Sequence, residues 1–223
     1  MKNKWWSFGA VLALGAIICL PGMAAADTVL NFDDLVSGIP IPQATPVPTG
    51  YAGFTWSGTG GYWGIEPNSY YRSDYANSFN FPSNPNAVIN ESPSQLGATQ
   101  MVISSPTAFD FDGASFGTWT AYNTQNYYGA SSLTITGKLG STVVGATTFA
   151  LSPGALSWHE LDFLGIDTLI FDVTAGSAGR YFLMDNFTYA TAHAPIPPSM
   201  LLLGSGLVGL VILRSRAHTQ SRG

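Results

Sequence analysis

The sequence is poor in charge, in sulfur and in bases. Only 9% of its 223 residues are charged, and Lys and Arg together number eight. A nucleic-acid-binding surface needs a basic face to replace phosphate counterions, and eight scattered bases do not make one. The one cysteine, Cys19, excludes an internal disulfide framework and a thiolate zinc site. No Gly-rich phosphate loop, dinucleotide fingerprint or His-rich metal motif is present. A serine nucleophile elbow is missing as well. His159, Glu160 and Asp162 lie close together, but neighbouring strand positions point to opposite faces, so the triplet reads as ordinary strand residues. Paired carboxylates for glycoside hydrolysis stay open, because sequence does not give their separation. What is abundant is apolar and aromatic, 46% and 13% of the chain, which excludes intrinsic disorder.

The two ends read as targeting segments. In residues 1–26, Lys2 and Lys4 precede the apolar run Val11 to Leu20, and Ala24-Ala25-Ala26 offers a small-residue cleavage site. Asp27 is then the mature N-terminus. Acylation at Cys19 is the alternative, although Ile17 and Ile18 are bulky for it. At the other end, a Pro-rich stretch at 191–198 leads into the uncharged run 199–213 and a basic tail at 214–223. At ~1.5 Å per residue the run alone is shorter than a ~30 Å hydrocarbon layer, and the proline stretch brings it near spanning length. Arg214 and Arg216 after it place the tail in the cytoplasm by the positive-inside rule. A buried C-terminal helix is the alternative, against which Gly204, Gly206 and Gly209 argue.

The segment "PIPPSMLLLGSGLVGLVILRSR" resembles the PEP-CTERM class of sorting signals, with its Pro-containing motif, short Gly-bearing apolar helix and Arg-rich end. The resemblance implies an exosortase-type processing enzyme as partner, transient anchoring in the inner membrane, and export in a Gram-negative bacterium. The sorting motif would be Pro195, Ile196, Pro197 and Pro198 with Arg214 and Arg216. Pro195-Ile196-Pro197-Pro198 stands where Pro-Glu-Pro gives the class its name, which leaves the exosortase subtype open.

Between the ends the local pattern is β. Residues 27–194 hold three basic residues (Arg72, Lys138, Arg180) against all thirteen acidic ones, a formal −10. Such a surface repels polyanions and favours cations. Period-2 alternation between turn residues predicts strands at Val29–Leu35, Gly53–Ser57, Gln100–Ser104, Phe109–Asp112, Phe116–Trp119, Ser157–Phe163, Thr168–Val173 and Arg180–Tyr189. A bulge is expected at Gly113. Ser132–Gly137 and Ser141–Leu151 read as a hairpin about Lys138-Leu139-Gly140. Two aromatic insertions, 58–93 and 121–130, read as functional loops. The fold class is all-β, a jelly-roll or galactose-binding-like β-sandwich over 27–190. Asn31-Phe32-Asp33-Asp34-Leu35, Tyr51 to Trp56, Asp162 to Leu169 and Met184 to Tyr189 are similar to the β-sandwich ectodomains that accompany this signal, and those resemble carbohydrate-binding modules.

Two groups of residues are candidates for binding. Asp185 shares strand parity with Leu183, Phe187 and Tyr189, where an unpaired carboxylate is costly. Asp34 is expected beside Leu30 and Phe32. Asp33, Asp34 and Asp185 are therefore candidate ligands of a structural calcium, as the first and last strands of carbohydrate-binding jelly rolls supply. The alternative is that they bond backbone amides at strand ends or meet Arg180. Tyr62, Trp63, Tyr70, Tyr71, Tyr127 and Tyr128 are candidate sugar contacts, since exposed rings stack on sugar C–H faces. The alternative is an apolar lid over the sheet.

The expected protein is an exported, non-enzymatic cell-surface or matrix protein whose partner is extracellular polysaccharide. A structural or adhesive matrix protein without a sugar site is the second reading, and a secreted glycoside hydrolase or lyase the third. Mass spectrometry of protein recovered from outside the cell checks the ends. The expected chain begins at Asp27 and lacks the residues after the 195–198 motif; intact chains starting at Met1 would contradict both assignments.

Overall fold

The structure, a computed structural model, describes residues 26–35, 44–68, 81–94, 96–119, 128–176 and 179–192. The described residues form ten strands and one short 3-10 turn at Tyr51–Gly53. The strands are β1 (Thr28–Leu30), β2 (Thr45–Pro46), β3 (Thr55–Thr59), β4 (Tyr62–Pro67), β5 (Asn86–Glu91), β6 (Gln100–Thr118), β7 (Ala130–Leu139), β8 (Thr142–Ala150), β9 (Ser157–Ala175) and β10 (Phe182–Thr191). All belong to one antiparallel sheet in the order β2-β4-β5-β10-β6-β9-β7-β8, with β1 also on β10 and β3 also on β6. The described residues belong to one compact unit. Among the described residues no helix is long and apolar enough to cross a membrane. The segment 199–213, the signal segment up to residue 25 and the sorting residues Pro195, Ile196, Pro197, Pro198, Arg214 and Arg216 lie outside them.

Two 19-residue strands, β6 and β9, serve both halves of the sheet. The first part of β6 pairs with β3 and the end of β9; its second part pairs with β10 and the start of β9. Between these parts the register slips at 104–109, 109–111 and 111–113. Extra residues in one strand bend it and raise its twist. The bulge expected at Gly113 is there, and a side chain would not fit, since a Cβ would lie 2.2 Å from the His159 carbonyl oxygen. On β9 the bend falls at Asp162 and Gly165, with φ 49° and 63°.

The bends close the sheet over an apolar interior. Trp63 on β4 is 1% exposed. Its ring meets Trp56, Phe171 and Phe182 edge-on at 5.7, 5.3 and 5.7 Å. Its indole Nε1 donates to the Val102 carbonyl, 3.2 Å away. One ring thus ties β4 to β3, β6, β9 and β10. Phe54, Phe109, Phe111, Phe187 and Tyr189 continue the interior toward β1.

Several expectations change in this frame. The strand from Val29 to Leu35 stops at Leu30, because Phe32 turns the chain with φ 59°. Residues 58–93 are not one long loop, for they hold the end of β3 and all of β4 and β5. The sequence Asn-Ala-Val-Ile-Asn-Glu of β5 is buried at every position, so it shows no alternation. The separate strand predictions at 100–104, 109–112 and 116–119 join into β6, and 157–163 and 168–173 join into β9. The 130–150 hairpin stands as expected, turning through Gly140 at φ 58°.

That hairpin packs through missing side chains. Gly137 and Gly145 oppose each other, and a Cβ on either would lie 2.8 Å from the Phe163 ring. Gly145→Val is expected to destabilise by about 1–3 kcal/mol, the usual cost of overpacking. In a Phe163→Ala background the same substitution should cost less, read as non-additivity in chemical denaturation. Equal costs in both backgrounds would place the clash elsewhere.

Candidate functional site

The three sequence-predicted carboxylates sit at one junction, where β1, the approach to β5 and β10 meet. Asp185 is fully buried at 0% exposure. Its Oδ1 accepts the Asn186 backbone N–H at 2.7 Å and its Oδ2 the Ser83 N–H at 3.0 Å. Ser83 Oγ lies 2.9 and 3.0 Å from the two oxygens, placed to donate to either. Asn186 reaches its bond from a left-handed φ of 50°, at a register slip between β6 and β10. Such a conformation is tolerated where bonds over-determine it.

The neighbouring acids tie down other segments. Asp33 Oδ1 accepts the Asn86 N–H at 3.0 Å, and Asn86 Nδ2 donates to the Phe32 and Leu35 carbonyls at 3.1 and 2.8 Å. Asp34 Oδ1 accepts the Tyr51 hydroxyl at 2.8 Å. Asp34 is exposed and does not share the side of Leu30 and Phe32, because the positive φ at Phe32 breaks strand parity. Asp185 and Asp33 thus both hold the approach to β5, at Ser83 and Asn86, while Asp34 holds Tyr51. Among the described residues no group of three or more His, Cys, Asp or Glu is arranged to hold a metal ion. Asp33 and Asp185 still feel each other's charge.

A second assembly occupies the other face of β4, β5 and β10. Tyr62 opposes Glu91, Gly64 opposes Ile89 and Glu66 opposes Ala87, so these six share one face. Trp63 points the opposite way. It is a core residue and not a sugar contact, since one step along a strand reverses a side chain. Phe81, Ala87, Ile89, Leu156, Tyr181 and Leu183 form an apolar cluster here, with Ala44, Trp119 and Tyr128 packed on it. Glu91 Oε1 accepts the Tyr181 hydroxyl at 2.8 Å and the Ser92 N–H at 2.8 Å, and Oε2 accepts the Ala44 N–H at 3.4 Å. Tyr62, half-buried, donates to the Ala44 carbonyl at 3.0 Å. Burial and the Glu91 charge push both phenols, Tyr181 and Tyr62, upward from the ordinary tyrosine value, so both remain hydrogen-bond donors. Glu66 and Glu91 lie in strands, not in loops, and both are buried.

Both aromatic insertions start and end at this face. Residues 69–80 lie between Asn68, at the end of β4, and Phe81. Residues 120–127 lie between Trp119 and Tyr128, whose rings are 6.4 Å apart, and Trp119 is 5.3 Å from Tyr181. Gly129 bridges to Tyr181. Tyr128 is half-buried, while Tyr70, Tyr71 and Tyr127 lie outside the described residues. The sequence reading missed Glu66, Glu91, Tyr181 and Ser83. The available signal was Tyr-x-Gly-x-Glu at 62–66, where period 2 puts a tyrosine and an acid on one face.

No protein-family model and no curated protein matches this sequence. Among solved structures, the K2 cleaved adhesin domain of Lys-gingipain is similar at a TM-score of 0.45 and 16% identity, covering 74% of this chain and 99% of that one.

Desolvation raises the Asp185 carboxyl to about 6, against the bonds from Ser83 and Asn186 that favour its charge. The folded state then holds a proton more tightly than the unfolded chain, whose carboxyl titrates near 4. Stability is full below that value and falls as pH rises through about 6, by up to about 3 kcal/mol. Denaturation between pH 4 and 7 in EGTA should show this fall, and Asp185→Asn should flatten it. Equal slopes would assign the titration to another group. Calcium that removes the wild-type slope would mean that a cation holds Asp185 charged.

Proposed function

We propose that this chain is an exported, non-catalytic surface or matrix protein that binds extracellular polysaccharide on the β4-β5-β10 face. The observation that carries this is that Phe81, which follows residues 69–80, and Trp119 and Tyr128, which flank residues 120–127, lie in one cluster with Tyr181. Rings supply flat apolar faces for sugar C–H groups at low entropic cost. Carboxylates and amides accept and donate to hydroxyls. Tyr70, Tyr71 and Tyr127 belong by sequence to the segments 69–80 and 120–127, which are flanked by Phe81, Trp119 and Tyr128 of this cluster, and Tyr62 and Tyr128 are half-buried.

The acids here suit binding better than proton transfer. Glu91 is held by two backbone N–H groups and a phenol, which orient it and occupy its oxygens. A general acid must reach the bond it protonates. The signal-peptide pattern and the PEP-CTERM-like tail support export to the cell surface or matrix of a Gram-negative bacterium, through an exosortase-type enzyme and a transient stay in the inner membrane. The lopsided charge of −10 between the ends supports a neutral glycan over a polyanion. The jelly-roll type of sandwich is part of the same proposal, supported by a sheet that closes over its interior through β6 and β9. A structural calcium at Asp33 and Asp185 is compatible with their mutual charge, provided the cation displaces the N–H and O–H donors now bonded there.

Titration of residues 27–192 with neutral bacterial exopolysaccharides, read by tryptophan fluorescence and by pull-down, tests the reading. The triple variant Tyr70→Ala/Tyr71→Ala/Tyr127→Ala should weaken binding by about tenfold or more while leaving the melting temperature nearly unchanged. A triple variant that binds as tightly as the wild type, or a wild type that binds none, would sink the sugar site. A triple variant that melts far lower would show that these rings form a lid.

A further inference from the structure

We propose that the chain pairs with a second copy of itself through the free edge of β8, forming a closed two-fold dimer. The two ends of the strand order differ, and the side branches β1 and β3, of three and five residues, are shorter than β8. One end is β2, two residues long and closed by Pro46, which has no N–H to offer. The other end is β8, nine residues long, for which β7 is the paired strand among the described residues. An edge of this kind presents a row of unpaired N–H and C=O groups.

β8 lacks most of the devices that protect such an edge. Thr-Val-Val-Gly-Ala-Thr-Thr-Phe-Ala has no charge and no proline. Its one irregularity is the bulge at Val144, beyond which Gly145–Ala150 pairs regularly. The absence of charge matters in a domain carrying −10, because here two copies can meet without setting carboxylates against each other. Three exposed large apolar residues lie on this hairpin, Leu139 at 50%, Val143 at 55% and Val144 at 45% exposure, while Val29, Leu96, Trp158 and Leu164 lie elsewhere.

The asymmetry of the edges selects the symmetry of the assembly. A head-to-tail array along the strand order would need β8 of one copy on β2 of the next, which is too short and proline-blocked, while β1 and β3 offer three and five residues against the nine of β8. β8 on β8 uses one patch twice, which closes at two copies. Gly145 and Phe149 face inward, on Phe163 and on His159 and Phe116 respectively. Ala146, Thr148 and Ala150 then lie on the other face, where a dimer would extend the sheet.

Sedimentation of residues 27–192 over about 1 to 100 μM should show a concentration-dependent monomer–dimer equilibrium. Ala146→Glu/Thr148→Glu should weaken the dimer by about tenfold or more with unchanged strand content by circular dichroism. Residues 27–192 carry no cysteine. A nitroxide on Ala146→Cys should therefore report one inter-chain distance under about 20 Å, whatever the register, because Ala146 is central in β8. A monomer throughout, a dimer with a longer distance, open-ended assembly or indifference to the double variant would each overturn the proposal. Because none of these readouts involves sugar, the polysaccharide reading stands or falls separately.

Discussion

Everything in this domain depends on two strands bending in the middle. A flat sheet of ten strands would leave one apolar face in water. β6 and β9 avoid this by changing partners along their length, so that one hydrogen-bonded sheet closes over its own interior. The bends come from slips in register and from residues whose backbone takes a left-handed turn, Asp162 and Gly165 on β9. Trp63 then fills the space between the two halves, and the rings around it meet edge to face, the arrangement their charge distribution favours.

Closing a sheet this way leaves backbone groups stranded wherever pairing breaks, and buried side chains satisfy them. Asn90 donates from Nδ2 to the Ala98 and Arg180 carbonyls and accepts the Phe182 N–H, joining three stretches from inside β5. Asn86 does the same for Phe32 and Leu35. Asp185 collects the N–H groups of Ser83 and Asn186. Asn86, Asn90 and Asp185 thus act where the sheet is interrupted. A carboxylate serving as such a staple is a poor cation ligand until its donors leave, so the same residues support a structural role directly and a calcium role only through rearrangement.

The two faces of β4 and β5 divide the chemistry of the molecule. One carries Trp63 and Ile65 into the core. The other carries Tyr62, Glu66 and Glu91, with Tyr181, just before β10, completing it. Functional side chains placed on strands are held more firmly than those on loops, while insertions rooted beside them add reach and variability. This combination underlies the polysaccharide reading, and the uncharged β8 edge gives the molecule a separate route to self-association.

How much of this was legible in the chain differs by element. The all-β class, the 130–150 hairpin and the bulge at Gly113 were legible, because alternation and turn residues are local signals. β5 was not, because burial on both faces erases alternation. Nor was the orientation of Asp34, because a single positive φ at Phe32 reverses the parity that a strand pattern assumes. Trp63 was read as an exposed ring for a related reason, since its surroundings are rich in Asn, Ser and Gly, and only pairing with β5 shows which side is inward. By itself the sequence determined composition, charge and local strand pattern, which depend on residue types and on neighbours a few residues apart. The tertiary structure decided which face is core, where Asp185 finds its donors and which edge is left open, because those depend on partners brought together from distant parts of the chain.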